Sequence, residues 1–249
     1  MLKLLHLIFA FGIVIPVLLI SVFVAIIPVA ILRLFKSERA ADRWARINGT
    51  MIATIAVWTL NVKMHVDGLE HIPADGTPLC FVANHQSLID IPAVVSRLGI
   101  WAGFITKKEL KKVPLLHFWI ESINCVYIDR KSPRSSIEAI IKGVDNIRKG
   151  IPMFIFPEGT RSKTGALGEF KVGSLKLATR AKALVVPIAI SGTRKAFEDK
   201  KGLGRVHVRI SVCEPIPTAA LTEEEIKLLP AKVFGAVEAQ YNRLVNTSV

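Results

Sequence analysis

The chain has 249 residues, of which 51% are hydrophobic, and 33 Lys and Arg against 20 Asp and Glu give it a formal net charge of +13. Such hydrophobicity with only 21% charged residues excludes an intrinsically disordered chain, and 16 Gly and 13 Pro without a period exclude a collagen-like or low-complexity polymer. A soluble body of roughly 200 residues buries about 70% of its unfolded surface and needs no cross-links. The three cysteines, Cys80, Cys125 and Cys213, are odd in number and each sits in an apolar stretch, so they read as core hydrophobes in a reducing compartment rather than disulfide or metal ligands.

From Leu7 to Leu32 the chain runs for 26 residues without a charge, more than the ~20 that cross a bilayer as a helix. The run exceeds the ~7 to 15 apolar residues of a signal peptide, and it ends in Arg33-Leu34-Phe35-Lys36 instead of a small-residue cleavage site. Pro16 and Pro28 each remove a backbone donor, and a bend or break is expected near Pro16. A second apolar patch, Ala40 to Val62, keeps Asp42, Arg43 and Arg46 at its start. Two geometries follow: one span, or two helices dipping into a single leaflet, the latter favoured by Pro16 and the flanking arginines. Arg33, Lys36, Arg39, Arg43 and Arg46 follow the first run, whereas only Lys3 and His6 closely precede it. The positive-inside rule therefore places the body on the cytoplasmic side of the cell's inner membrane. Residues 1–62 are expected to form membrane-associated helices and residues 63–249 the body.

Beyond a turn-rich connector, His71 to Pro78, short apolar runs at Leu79–Ala83, Gly103–Thr106, Cys125–Ile128, Met153–Phe156, Val185–Ile190 and Val206–Val212 read as strands. Helical stretches separate them at Leu88 to Leu98, Glu109 to Ser122, Ser135 to Lys149 and Ser174 to Ala181. Alternation of this kind predicts an α/β fold, a mainly parallel sheet flanked by helices, with sites at the carboxyl ends of the strands. Thr222-Glu-Glu-Glu225 is a capping-box pattern opening a short helix, stopped by Pro230 and followed by an amphipathic one ending near Arg243.

The strand Leu79–Ala83 runs into Asn84-His85-Gln86-Ser87-Leu88-Ile89-Asp90, which puts a histidine and a carboxylate five residues apart at a strand-to-helix turn. In a regular helix those side chains diverge by about 140°. With Ser87 as N-cap, His85 lies in the preceding turn and Asp90 can point back at the imidazole, fixing its tautomer and freeing the other nitrogen to accept a proton. No G-x-S-x-G elbow or S-x-x-K nucleophile is present, so direct attack by a substrate hydroxyl is the simpler chemistry. Phe154-Ile-Phe-Pro-Glu-Gly-Thr-Arg-Ser162 adds Glu158, Gly159 and Arg161 after another strand, in a pattern suited to close backbone approach and two-pronged phosphate binding. Lys107-Lys108 and Asp129-Arg130 also follow strands, and the three cationic turns together suggest a phosphate cradle beside a base. The charge would also suit nucleic acid, but there is no zinc finger, helix-turn-helix or aromatic RNA platform, and no nucleic-acid partner is expected.

Asn84-His85-x4-Asp90, Val126-Tyr-Ile-Asp-Arg130, Phe156-Pro-Glu-Gly-Thr-Arg161 and Val186-Pro-Ile188 resemble, in order and approximate spacing, the four blocks of the glycerolipid acyltransferases. The resemblance covers roughly Leu79 to Gly192, and Lys107-Lys108-Glu109-Leu110 fits as well. It implies transfer of a fatty acyl group from an acyl carrier protein or coenzyme A thioester to the free hydroxyl of lysophosphatidate, or of another lysolipid or glycerol 3-phosphate. It makes His85 the base and Asp90 its partner. It assigns Arg130, Glu158, Gly159, Arg161 and one of Lys107 and Lys108, here Lys107, to the acceptor, with no metal and no cofactor beyond the thioester co-substrate. A membrane bilayer, the lysolipid and the thioester carrier are the partners implied. The second block departs from the family pattern at Asn124, a position often filled by Gly, and at Tyr127, which replaces the usual Phe.

Overall fold

The computed structural model describes residues 2–73, 76–171 and 173–246; of the expected connector, Ala74 and Asp75 lie outside the described residues. The apolar N-terminus forms α1 (Leu2–Ser21), a π-turn (Val22–Ile26) and α2 (Ile27–Leu34) in one run. After a turn at residues 35–37 the chain returns along α3 (Glu38–Thr59). The irregularity expected at Pro16 lies instead at the π-turn, and Pro28 supplies the reason. Its missing N–H leaves unclaimed the carbonyl four residues back, that of Val24, and the indole Nε1 of Trp44 on α3 donates to that oxygen at 2.8 Å. The hairpin is antiparallel: His6 Nε2 donates to the Thr59 carbonyl at 2.7 Å near one end, and Arg33 meets Asp42 at 3.5 Å near the other. Ala10, Ala25, Ala41 and Ala45 are buried, small enough to let backbones approach closely, while Ile8, Phe11, Phe23 and Leu34 remain exposed.

The body follows in alternation: β1 (Val62–Asp67), β2 (Leu79–Ala83), α4 (Asp90–Leu98), β3 (Gly103–Lys107), α5 (Leu116–Ser122), β4 (Val126–Ile128), α6 (Pro133–Arg148), β5 (Met153–Ile155), α7 (Lys176–Ala181), β6 (Leu184–Ser191), α8 (Thr193–Ala196), β7 (Val206–Val212) and α9 (Glu223–Asn246). The six expected strands form within two residues of their expected ends. β1 was not expected, although Val62, Met64 and Val66 alternate with Lys63, His65 and Asp67 and their burial alternates likewise. The expected helix Glu109 to Ser122 is split into a 3₁₀ turn, Lys108–Lys112, and α5, because Pro114 has no N–H to give and Leu115 adopts a left-handed φ of 63°. At the C-terminus two expected helices are one. α9 passes through Pro230, whose lost hydrogen bond is outweighed by the buried stripe of Leu229, Val233, Val237 and Leu244. The capping box forms as expected: Thr222 N donates to Glu225 Oε2 at 2.8 Å and Glu225 N to Thr222 Oγ1 at 3.3 Å.

The sheet has the order β1-β7-β6-β2-β5-β3-β4. All pairs are parallel except β6 with β7. The strands β6, β2, β5, β3 and β4 therefore share one direction, and their carboxyl ends form a single edge. Alternate residues feed two cores. Phe81, Phe104 and Phe154 join Ala93, Val94 and Leu98 of α4 on one face, while Cys80, Val82, Met153 and Ile155 meet α6, α7 and α9 on the other. α3 closes the first face along its length: Ala53 belongs to that core, Arg46 donates to the Gly99 carbonyl at 2.7 Å, and Gly49 lies against Trp101 and Trp119.

Candidate active site

β2 sits between β6 and β5, so the residues leaving its carboxyl end are flanked by loops from both neighbours. Asn84 fixes the exit: its Nδ2 donates to the Ile190 carbonyl and its Oδ1 accepts from Ile190 N, each at 2.8 Å. Asp90, at the start of α4 and fully buried, folds back as expected. Its Oδ2 accepts from His85 Nδ1 at 2.7 Å, Gln86 N at 2.7 Å and Ser87 N at 2.8 Å. A tight turn precedes the helix: Ser87 Oγ accepts from Ile89 N, but α4 proper begins at Asp90, three residues beyond the expected cap. Because a carboxylate only accepts, His85 Nδ1 must carry the proton, and Nε2 then presents a lone pair. Phe156 stacks under the imidazole at 4.0 Å and 16°, and the ring keeps 14% of its side-chain surface exposed.

The β5 loop reaches the same turn. Ser162 N donates to the His85 carbonyl at 2.8 Å. Glu158, assigned by resemblance to the acceptor, is buried and turned inward, with Oε1 accepting from His85 N at 2.8 Å. Burial pushes its carboxyl above the usual range, opposed by the hydrogen bonds from His85 N and Gly168 N. Gly159 adopts φ 72°, and a methyl there would come within 2.8 Å of Lys171 Nζ, so the missing side chain lets a further cation cross the loop. Arg161 pairs with Glu198, which follows α8, at 3.2 Å, beside an open cavity of about 570 Å³ lined by Thr160, Arg161, Ser162 and Lys163.

Lys107 and Arg130 stand at the same edge, at the ends of β3 and β4, which at ~4.8 Å per strand lie roughly 10 and 14 Å from β2. Neither touches His85 among the described contacts. Lys107 pairs locally with Glu109 at 3.2 Å, whereas Lys108 is held by Asp129 at 2.5 Å; that hydrogen bond lifts the Lys108 ammonium above its usual range and holds the Asp129 carboxyl below its own. Asn124 adopts φ 56°, the left-handed conformation that Gly enters freely and Asn tolerates. The Tyr127 hydroxyl is hydrogen-bonded to His117 Nδ1 at 2.9 Å, a partner that Phe lacks. Among the described residues no group of three or more His, Cys, Asp or Glu is placed to hold a metal ion.

Sequence reasoning missed Phe156 as a platform, Lys171, Glu198 and Tyr241, whose hydroxyl meets Gln86 Nε2 at 2.8 Å and the Gly165 carbonyl at 2.7 Å. Phe156 and Lys171 bracket the Glu-Gly-Thr-Arg segment and were within reach of its pattern; Glu198 and Tyr241 are brought in only by the fold.

The His85 imidazole, oriented by a buried carboxylate, thus stands at the cationic edge of the mainly parallel sheet, and residues 63–191 match the Acyltransferase family; the chain belongs to it. Its relatives point to one branch. Over 166 residues it is 36% identical to the chloroplastic 1-acyl-sn-glycerol-3-phosphate acyltransferase LPAT1 of Arabidopsis thaliana, covering 66% of this chain and 46% of that protein. Over 200 residues it is 29% identical to the probable 1-acyl-sn-glycerol-3-phosphate acyltransferase of Mycoplasma pneumoniae, covering 74% of each. The chain spans about half the length of the chloroplastic relatives it matches. The crystal structure of PlsC, the 1-acyl-sn-glycerophosphate acyltransferase of Thermotoga maritima, superposes over 100% of both chains with a TM-score of 0.81 at 25% identity.

Proposed function

We propose that this protein transfers a fatty acyl group from a thioester of acyl carrier protein or coenzyme A to the free hydroxyl of 1-acyl-sn-glycerol 3-phosphate, forming phosphatidate. The observation that carries the reading is the 2.7 Å bond from His85 Nδ1 to Asp90, which leaves Nε2 as an acceptor at the cationic edge. His85 Nε2 takes the hydroxyl proton as the oxygen attacks the thioester carbonyl. The tetrahedral intermediate then collapses with loss of thiolate, which recovers that proton from His85 as the free thiol. The only hydroxyl within the His85–Asp90 segment, that of Ser87, donates to Glu198 Oε2 at 2.5 Å, and all three thiols are buried, which favours direct transfer over a covalent intermediate. Arg161 and Arg130, with Lys107 and Gly159, bind the acceptor's phosphate; Glu158 supports the His85 turn from beneath.

The apolar run supports a membrane seat, since Leu4–Leu34 is long and apolar enough to cross a bilayer and only 11% of its most apolar window is buried. Packing favours an in-plane arrangement. α1 and α2 lie along α3, α3 lies along the body, and Ala10 of α1 shares a cluster with Ile89 beside the His85 turn. A helix crossing the bilayer would carry α3 with it. In this reading both helices sit in one leaflet, and the basic residues that follow the apolar run put the catalytic turn at headgroup level on the cytoplasmic side of the inner membrane.

The test is thioester consumption by the purified protein in mixed micelles, with lysophosphatidate, glycerol 3-phosphate and other lysolipids compared side by side. Preference for lysophosphatidate is expected. Equal turnover of lysolipids lacking the phosphate monoester would overturn the acceptor assignment.

A further inference from the structure

Glu198 is claimed by two parts of the site at once. It lies two residues beyond α8, with 21% of its side-chain surface exposed. Its Oε2 accepts from Ser87 Oγ at 2.5 Å, its Oε1 accepts from Leu88 N at 3.0 Å, and the same Oε1 accepts from Arg161 at 3.2 Å. The first two bonds hold the turn between His85 and Asp90; the third neutralises an arginine that a phosphate would otherwise use. Ser87 and Leu88 keep Glu198 in place whatever Arg161 does. The ion pair is the looser attachment, for Arg161 has 49% of its side-chain surface exposed and a single contact with the carboxylate.

We propose that Glu198 is the resident counter-ion of Arg161, which the acceptor's phosphate must displace and which reclaims the arginine when product leaves. The inference rests on the acceptor reading above. Its physical basis is that lysophosphatidate and phosphatidate carry the same phosphate, so a tighter grip on that group holds substrate and product alike and does not speed the chemical step. A built-in competitor of fixed geometry weakens both by the same factor and keeps release from limiting turnover.

Glu198→Gln separates the roles, because the amide oxygen still accepts from Leu88 N and the amide N–H2, standing in place of Oε2, can donate to Ser87 Oγ, while the charge facing Arg161 is gone. The apparent KM for lysophosphatidate is expected to fall about two- to five-fold, the range spanned by a partly exposed ion pair. Inhibition by added phosphatidate should strengthen by the same factor, and the KM for the acyl thioester should stay unchanged. Arg161→Ala should raise the acceptor KM, and in that background Glu198→Gln should have no further effect on it. An unchanged or raised acceptor KM in Glu198→Gln, or an equal effect with and without Arg161, would overturn the counter-ion role. Thermal unfolding of Glu198→Gln at the wild-type temperature shows that the turn is intact; a lowered midpoint with parallel losses for both substrates would mean that Glu198 only braces the structure. If wild-type protein fails to turn over lysophosphatidate, it is the acceptor reading that fails.

Discussion

His85 and Asp90 illustrate how a weak signal becomes a definite geometry. A His and an Asp five apart occur in many polar turns, and the spacing alone leaves open whether they meet. They meet here because Asp90 Oδ2 gathers two backbone N–H groups together with the imidazole. His85→Ala should lower turnover by about 10²- to 10⁴-fold without loss of fold, and retention of more than about a tenth of the rate would contradict the base assignment. Asp90→Asn should approach the same loss, since the amide can favour the other tautomer. Glu158 makes a different prediction, because its carboxylate accepts from the His85 backbone. Burial raises its folded-state pKa, so the ionised form costs stability above that pKa, and a neutral isostere escapes the cost. Glu158→Gln keeps an acceptor for His85 N but gives up an oxygen that Gly168 N uses, so it should stay near the wild-type melting temperature at neutral pH and retain most activity. Glu158→Ala should lose both, having left His85 N without its partner. A comparison of melting midpoints and rates for the two variants decides it; equal losses in both would place the carboxylate's charge on the substrate instead.

Elements were legible wherever periodicity was strong and local. The six foreseen strands are short apolar runs bounded by turn residues, and burial of both sheet faces is what such runs require. Proline misled at three places, and for one reason: its missing N–H matters only according to who takes the freed carbonyl or what else holds the helix. Trp44 claims the carbonyl freed by Pro28, the core-facing stripe of α9 overrides Pro230, and nothing of that kind rescues the segment around Pro114. α3 is held to the body through Gly49, where a Cβ would come 2.5 Å from the Trp101 ring and 3.3 Å from Trp119. Gly49→Ala must displace the Trp101 ring or push the hairpin off it. Overpacking of this kind costs about 1 to 3 kcal/mol, which at roughly 2 to 4 °C per kcal/mol lowers the melting midpoint by several degrees. A midpoint equal to or above the wild type's would mean that α3 is free to shift on the body.

At the scale of the molecule, the one-leaflet seat proposed for the apolar hairpin can be tested by cysteine labelling. The three native thiols are buried, and burial pushes those of Cys80 and Cys125 up to about 12 and that of Cys213 to about 11, so they contribute little labelling at neutral pH. A single Cys introduced at Lys3 should then be modified by an impermeant reagent added from the cytoplasmic side, as a one-leaflet hairpin requires. Modification from the opposite side alone would establish a spanning helix. Composition and order along the chain were sufficient for a good deal: a long apolar start, an alternating α/β body, a histidine with its orienting carboxylate, and cationic turns after strands. Each depends on residues close together in sequence, where periodicity and spacing carry the physics. The tertiary structure alone decided that β1 pairs with β7, and that the β5 loop lies against His85 while β3 and β4 end two and three strands away. It also decided that Glu158 faces the backbone and that Glu198 stands between Arg161 and the turn that follows His85. Those contacts join residues 73 and 37 apart in sequence, and only the order of strands in the sheet brings them within hydrogen-bonding distance.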